Sequence, residues 1–224
     1  MNSFNRLLLP LILTCFTSVQ TISNEVNIYS ARQEALIKPL LDKFSESTSI
    51  KVNLVTGKGD ALLTRLINEG ENSPADLLVT VDAGRLYRAQ QADVLKPIDS
   101  AAISKLVPDN LKSSDNMWVG LSIRARVIIY SKDRVNAEDL ASYESLANKQ
   151  WLGKICIRSS SNIYNQSMVA GMIAQNGLEK TEQWLQRFTD NFARRPAGGD
   201  RDQIKAVAAG ECDLVVANSY YLGH

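Results

Sequence analysis

Between residues 26 and 80 the chain switches twice from a strand-like to a helix-like apolar pattern, and this rhythm limits the fold more than any other feature. Val26-Asn27-Ile28-Tyr29-Ser30 alternates as a strand, and Leu36, Ile37, Leu40, Leu41 and Phe44 then mark a helical stripe. A second strand over Ile50–Val55 leads through Gly57 and Gly59 to a helix with apolar positions Leu62, Leu63, Leu66 and Ile67. A third strand follows at Asp76-Leu77-Leu78-Val79-Thr80. Strand, helix, strand, helix, strand is the pattern of a parallel α/β sheet. Gly57-Lys58-Gly59-Asp60 lacks the spacing of a phosphate-binding loop, and its glycines read as turn residues.

The stretch from Val94 to Trp118 carries Pro97, Pro108, Asp109 and several serines and reads as irregular structure with short helices. Leu121–Tyr130 then opens a second strand-rich part, with a further strand at Lys154–Ile157. Helices are expected from Ile163 to about Gln175, from Leu178 to Phe188, and from Arg201 to Ala209 with Asp200 as cap, and Leu214-Val215-Val216-Ala217 reads as a buried strand. Two α/β lobes joined near residue 122 fit this order, the first over 24–122 and the second over 123–224.

Residues 1–23 stand apart. Arg6 gives a basic start, Leu7–Leu13 is a short apolar core, and Thr21 and Ser23 are small residues suited to cleavage. That is a secretory signal peptide, too short and wrongly flanked to span a membrane. Cys15 opens a lipoprotein reading, against which stands Thr14, a poor residue before a lipidated cysteine. The leader holds one of the 25 basic residues and none of the 24 acidic ones, so the chain without it is formally neutral. A neutral chain has no electrostatic footprint for nucleic acid. Cys156 and Cys212 remain, an even pair that in an exported protein permits one disulfide and equally fits two small core residues.

Candidate chemistry lies in the phenols. Tyr220 and Tyr221 follow the buried strand, where a strand gives way to a loop, the edge at which open α/β sheets bind ligands. Adjacent tyrosines are more often packing residues, but Tyr164 sits in the polar, Ser-rich segment Ser159–Ser167, where no core aromatic is expected. Its place in the first turn of a helix lets the helix dipole favour the ionised phenol. Converging phenolates are hard anionic donors suited to a hard, highly charged cation, and Fe(III) is the natural candidate. A bound cation can deprotonate such ligands although a free phenol holds its proton to about pH 10. The single histidine is His224, so neither a histidine-based triad nor a soft-metal site is supported, and no motif supplies an activated nucleophile; the chain reads as a binding protein and not an enzyme.

Several segments, in order, resemble the ferric-iron-binding periplasmic proteins, the soluble receptors of bacterial iron(III) ABC importers. They are Tyr29-Ser30-Ala31-Arg32-Gln33, Pro74–Gly84, Arg124-Ala125-Arg126-Val127, Arg158–Gln166, Gly198-Gly199-Asp200-Arg201-Asp202 and the Tyr220-Tyr221 pair. The resemblance covers nearly all of residues 26–224. It implies an α/β, two-lobed type II periplasmic binding protein with Fe(III) between the lobes and Tyr164, Tyr220 and Tyr221 as phenolate ligands. It further implies carbonate as a synergistic anion held by Arg32 and Arg124, a periplasmic monomer, and delivery to an ABC transporter permease in the inner membrane. Where many relatives carry a His or a further Tyr after the first strand, this chain has Gln33 and Glu34, so no first-lobe ligand is assigned. Relatives also continue well beyond the tyrosine pair, whereas this sequence stops at His224. The expectation is a fold truncated at its C-terminus, with apolar surface uncovered and a sheet edge open in the first lobe.

Among the arginines, Arg32 follows a strand end and Arg124 lies near the lobe junction, both positions that can face a cleft; Arg126 shares strand parity with Arg124 and is the weaker candidate. Asp82 also follows a strand, as a cleft residue or a helix N-cap. The competing function is a receptor for an inorganic or organic anion held mainly by arginines.

Overall fold

β1 (Glu25–Ser30) forms the middle of a three-stranded parallel sheet in the computed structural model, which describes residues 24–223. The signal peptide read from residues 1–23 lies outside the described residues. After β1 come α1 (Glu34–Thr48), β2 (Lys51–Thr56), α2 (Gly59–Glu69), β3 (Leu77–Val79) and α3 (Ala83–Gln91). The sheet order is β2-β1-β3, and Ile28 faces Leu54 on one side and Leu77 on the other. The alternation in the sequence has the expected result, because each helix returns the chain to the same sheet end. Ile28 and Tyr29 of β1 are buried, as are Leu62, Leu63 and Leu66 of α2. Arg85 of α3 is buried and forks onto both carboxylate oxygens of Asp60 at 3.0 and 3.1 Å, tying α2 to α3 and holding the Asp60 carboxyl below its usual range.

The stripe on α1 departs from the expectation of a core-facing helix. Only Ile37 is buried, while Leu36 and Leu40 are 61% and 65% exposed and Phe44 lies outward with them. α1 packs against β2, and that contact is narrower than the apolar arc, so Leu36 and Leu40 are left facing out.

The chain continues through α4 (Ala101–Leu106) into β4 (Arg126–Tyr130), β5 (Ile155–Cys156), α5 (Ile163–Asn176), α6 (Leu178–Asp190), α7 (Asp200–Ala208) and β6 (Leu214–Asn218). These three strands form a second sheet of order β4-β6-β5, with β4 antiparallel and β5 parallel to β6. β6 is buried along its whole length, as its unbroken apolar run requires. Beneath it Trp184 and Phe188 stack at 4.5 Å amid Leu146, Trp151 and Ile155. The strand expected from Leu121 begins only at Arg126, because β6 offers partners from Leu214 to Asn218 and then turns away; a single backbone bond of 2.8 Å from Ser219 to Ala125 extends the pairing. α7, by contrast, starts one residue earlier than expected: Gly199 is the N-cap, its N–H donating to the Asp202 carboxylate at 2.7 Å, and Asp200 is inside the helix with its side chain buried.

The two sheets are joined where α3 abuts α5. Gly84 makes the approach possible, since a Cβ there would lie 2.8 Å from Ile163 Cδ1 and 3.0 Å from Ser167 Oγ. One turn on, Arg88 Nη2 donates to Gln166 Oε1 at 2.7 Å.

Cys156 and Cys212 are a disulfide, settling the two sequence readings in favour of the bond. It ties β5 to the turn before β6 across a separation of 56 residues, and both cysteines are buried. On a loop-entropy basis, closing so long a segment stabilises the fold by ~4 kcal/mol. Replacing both cysteines by serine is therefore expected to lower the unfolding free energy by up to about that amount. Denaturant titrations of the two forms check it, and an unchanged midpoint would show that the bond constrains nothing that the core does not already fix.

Candidate metal centre

β6 ends at Asn218, and the chain turns at once into a tight 3-10 turn, Ser219–Gly223, that carries Tyr220 and Tyr221. Their ring centroids are 4.4 Å apart and their hydroxyl oxygens 3.4 Å apart. Asn218, whose side chain is buried, donates its Nδ2 hydrogen to the Tyr220 hydroxyl at 3.0 Å, so the last strand residue orients the first phenol. Tyr164 arrives from another element. It is the second residue of α5, whose N-cap Asn162 accepts the Tyr164 backbone N–H at 3.0 Å and so fixes the first helical turn. Tyr164 is close enough to Tyr220 for the two phenols to affect each other's ionisation, so the third phenol lies beside the pair. Among the described residues, no group of three or more His, Cys, Asp or Glu side chains is placed to hold a metal ion, which leaves the phenols as the concentrated oxygen donors.

The Tyr164 ring is surrounded by cations. The guanidinium carbons of Arg124, Arg158 and Arg126 lie 4.5, 5.2 and 6.0 Å from its centroid, and Arg201 lies 5.5 Å from that of Tyr221. Guanidiniums over aromatic faces are attracted by the ring quadrupole. Two of them are anchored by Asp200, which accepts from Arg126 Nη1 at 3.0 Å, Arg158 Nη1 at 3.3 Å and the backbone N–H of Asn218 at 3.1 Å. Arg126 also donates to Asn165 at 2.9 Å and to the Val216 carbonyl at 2.8 Å, linking β4, α5 and β6.

Burial raises the pKa of Tyr164, and the charge of Tyr220 raises it further, while Arg124 acts in the opposite sense. Burial and the bond to Tyr220 drive Tyr221 well above the ordinary phenol range. The helix N-terminus favours an ionised Tyr164, but in the metal-free protein burial and Tyr220 outweigh it. A half-buried phenol beside a second phenol costs more to ionise than one helix end returns.

The remaining sequence candidates divide. Arg124 reaches the phenols and pairs with Asp82 at 2.7 Å. Asp82 takes both roles read for it, capping α3 through Gly84 N–H at 3.0 Å and facing the site through Arg124. Arg32 is exposed at the end of β1, and among the described residues no side-chain hydrogen bond or ion pair joins it to the cluster. Gln33 and Glu34, at the start of α1, are also exposed. Arg126, the weaker candidate by sequence, is a partly buried hub of the site, bonded to Asp200, Asn165, Asn218 and the Val216 carbonyl. Sequence reasoning missed Arg158, Asn165 and Asn218 and misplaced Asp200. The available signal was the polar residues bordering Tyr164 and the β6 run, which the apolar pattern did not explain.

Residues 72–222 match the family described as bacterial extracellular solute-binding protein. The iron uptake protein A1 of Synechocystis is 49% identical over 199 residues, which cover 89% of this chain and 55% of that protein. The major ferric iron-binding protein of Neisseria meningitidis is 27% identical over 94% of this chain and 63% of its own length. Among solved structures, a Trichodesmium protein in complex with iron and citrate superposes with a TM-score of 0.85 at 52% identity, over 88% of this chain and 63% of that one. A ferric iron-binding protein of Mannheimia haemolytica in an open conformation gives 0.81 at 46%, over 89% of this chain and 63% of that one. The chain thus spans little more than half the length of the curated relatives it matches. The fold is that of the two-lobed type II periplasmic binding proteins. With its family pattern spanning 72–222, the chain belongs to the bacterial extracellular solute-binding proteins.

Proposed function

We propose that this chain binds Fe(III) as cargo between its lobes through the phenolates of Tyr164, Tyr220 and Tyr221, as an exported, non-enzymatic receptor that hands the ion to a membrane permease. The observation that carries the reading is the gathering of three phenols from two separate elements, the Tyr220 and Tyr221 hydroxyls 3.4 Å apart with Tyr164 beside them and cations over the rings. Three phenolates supply three negative charges from hard oxygens, the donor set that a trivalent hard cation prefers. The backing guanidiniums offset part of that charge once the phenolates form. Relatives bearing iron-uptake and ferric-binding names support the same cargo. On this reading the lobe boundary lies near residue 122, and the periplasm is the compartment in which a leader of the kind read from residues 1–23 and a buried disulfide both make sense.

The second reading, an anion receptor, has its own observation: Arg124, Arg126 and Arg158 gather around one ring. The two readings combine if Arg124 holds carbonate beside the metal, the arrangement the family resemblance implies, with Arg32 in a lesser part.

Fe(III) is expected to give the purified protein a visible phenolate-to-iron charge-transfer band. Tyr164→Phe should weaken or abolish the band and cut iron affinity by at least about a hundredfold, the upper end of what losing a mere supporting bond to a metal ligand costs. Citrate competition measures the affinity. A colourless saturated complex, or full affinity in Tyr164→Phe, would remove the phenolate site and leave the anion reading.

Proton release gives an independent check. The pKa values of Tyr164 and Tyr221 lie above the usual phenol value, so below pH 10 these groups are protonated in the metal-free protein and must lose their protons to coordinate. Apparent iron affinity should therefore rise with pH, and a pH-stat titration near neutrality should record about three protons released per iron, one for each coordinating phenol. No proton release on loading would mean that the phenols stay protonated and the metal binds elsewhere.

A further inference from the structure

Asp82 makes more contacts than a helix cap needs. Its backbone has φ +81°, a region that L residues rarely adopt, and its side chain is only 9% exposed. One carboxylate oxygen caps α3 at the Gly84 N–H and accepts from the Ser167 hydroxyl on α5; the other takes Arg124 Nη2 at 2.7 Å. A single carboxylate from the end of the first sheet thus reaches a helix of the second lobe and the segment that connects the lobes. It does so where Gly84 has already removed the side chain that would keep α3 and α5 apart. Arg124 in turn stacks 4.5 Å from the centre of the Tyr164 ring.

We propose that Asp82 is an interlobe clasp and a built-in anion: its carboxylate occupies Arg124 and bridges to α5, and a small planar oxyanion entering the site must displace it from that guanidinium. The proposal rests on the reading above for what fills the site. A carboxylate and a carbonate-like anion present the same fork of oxygens to a guanidinium, so they compete for the same N–H donors. Binding such an anion then removes one arm of the contact between the lobes. Asp82 is a positioning residue here, since it touches Arg124 and Ser167 and not the phenol oxygens.

The test uses iron-free protein titrated calorimetrically with bicarbonate. Asp82→Asn is the informative variant, because Asn keeps an oxygen for the Gly84 cap and tolerates positive φ while losing the charge that holds Arg124. Bicarbonate affinity should rise about tenfold or more, the range of a charge-assisted hydrogen bond. Adding Arg124→Ala to Asp82→Asn should abolish the gain, which a merely structural effect of Asp82 would not require. Ser167→Ala leaves the cap and the Arg124 pair in place and frees only the α5 arm, so it should shift affinity in the same direction by less. Equal affinity in wild type and both single variants, no binding in any of them, or a gain that survives the loss of Arg124 would overturn the proposal. Because no iron enters this titration, its failure alongside a coloured ferric complex would leave the metal reading standing. A colourless complex alongside the expected gain would do the reverse.

Discussion

The site depends on the buried carboxylate of Asp200. It is 1% exposed, and a lone carboxylate at that depth would be heavily penalised. Two guanidiniums and a backbone N–H satisfy it, and each of these partners belongs to a different part of the site. Arg126 comes from β4 and extends to α5 and β6, Arg158 follows β5, and the Asn218 N–H closes the end of β6 immediately before the tyrosine pair. Removing the carboxylate would leave two partly buried guanidiniums short of a partner, and the turn carrying Tyr220 and Tyr221 would lose the bond that sets its origin. The orientation of three phenols thus traces back to one residue that touches none of their hydroxyls in the hydrogen-bond network.

On the proposed reading, a cation site lined with arginines is at first sight a contradiction. It resolves through protonation. In the metal-free protein burial keeps Tyr164 protonated, so the guanidiniums rest against neutral rings, where the quadrupole attraction is favourable and little charge is uncompensated. On the proposed reading, metal entry replaces three protons by one trivalent ion, and the surrounding cations then face phenolates. The arginines favour the loaded state only after the protons have left, which makes capture sensitive to acidity and to any anion that shares Arg124.

Among the described residues, α3 meets α5 through Gly84 against Ile163 and Arg88 with Gln166, and Asp82 reaches Ser167 and Arg124. On the proposed reading these are the contacts that a hinge closure around a ligand would break and re-form. The outward apolar residues of α1 are a separate feature. Leu36 and Leu40 form an apolar strip on a helix whose remaining packing is against β2, and the chain spans little more than half the length of the curated relatives it matches.

Sequence alone determined the elements and their order. Period-two and period-3.6 patterns depend on local side-chain placement, so β1, α2, β6 and the parallel first sheet were legible, as was the position of Tyr220 and Tyr221 just past a buried strand. The same patterns could not say which side of α1 is covered, because amphipathicity marks a face without naming what lies against it. They could not decide between a disulfide and two core cysteines, since the approach of Cys156 and Cys212 across 56 residues is a matter of sheet topology. Above all, they could not show Asp200 beneath Arg126 and Arg158, or Asp82 between Arg124 and Ser167, because these contacts join residues 42 to 85 positions apart. Local chemistry fixed which residues could donate oxygen to a metal. Only the packing of β4, α5, α7 and β6 placed Tyr164 beside the tyrosine pair and set the charges around them, because electrostatic interactions depend on distance in space and not along the chain.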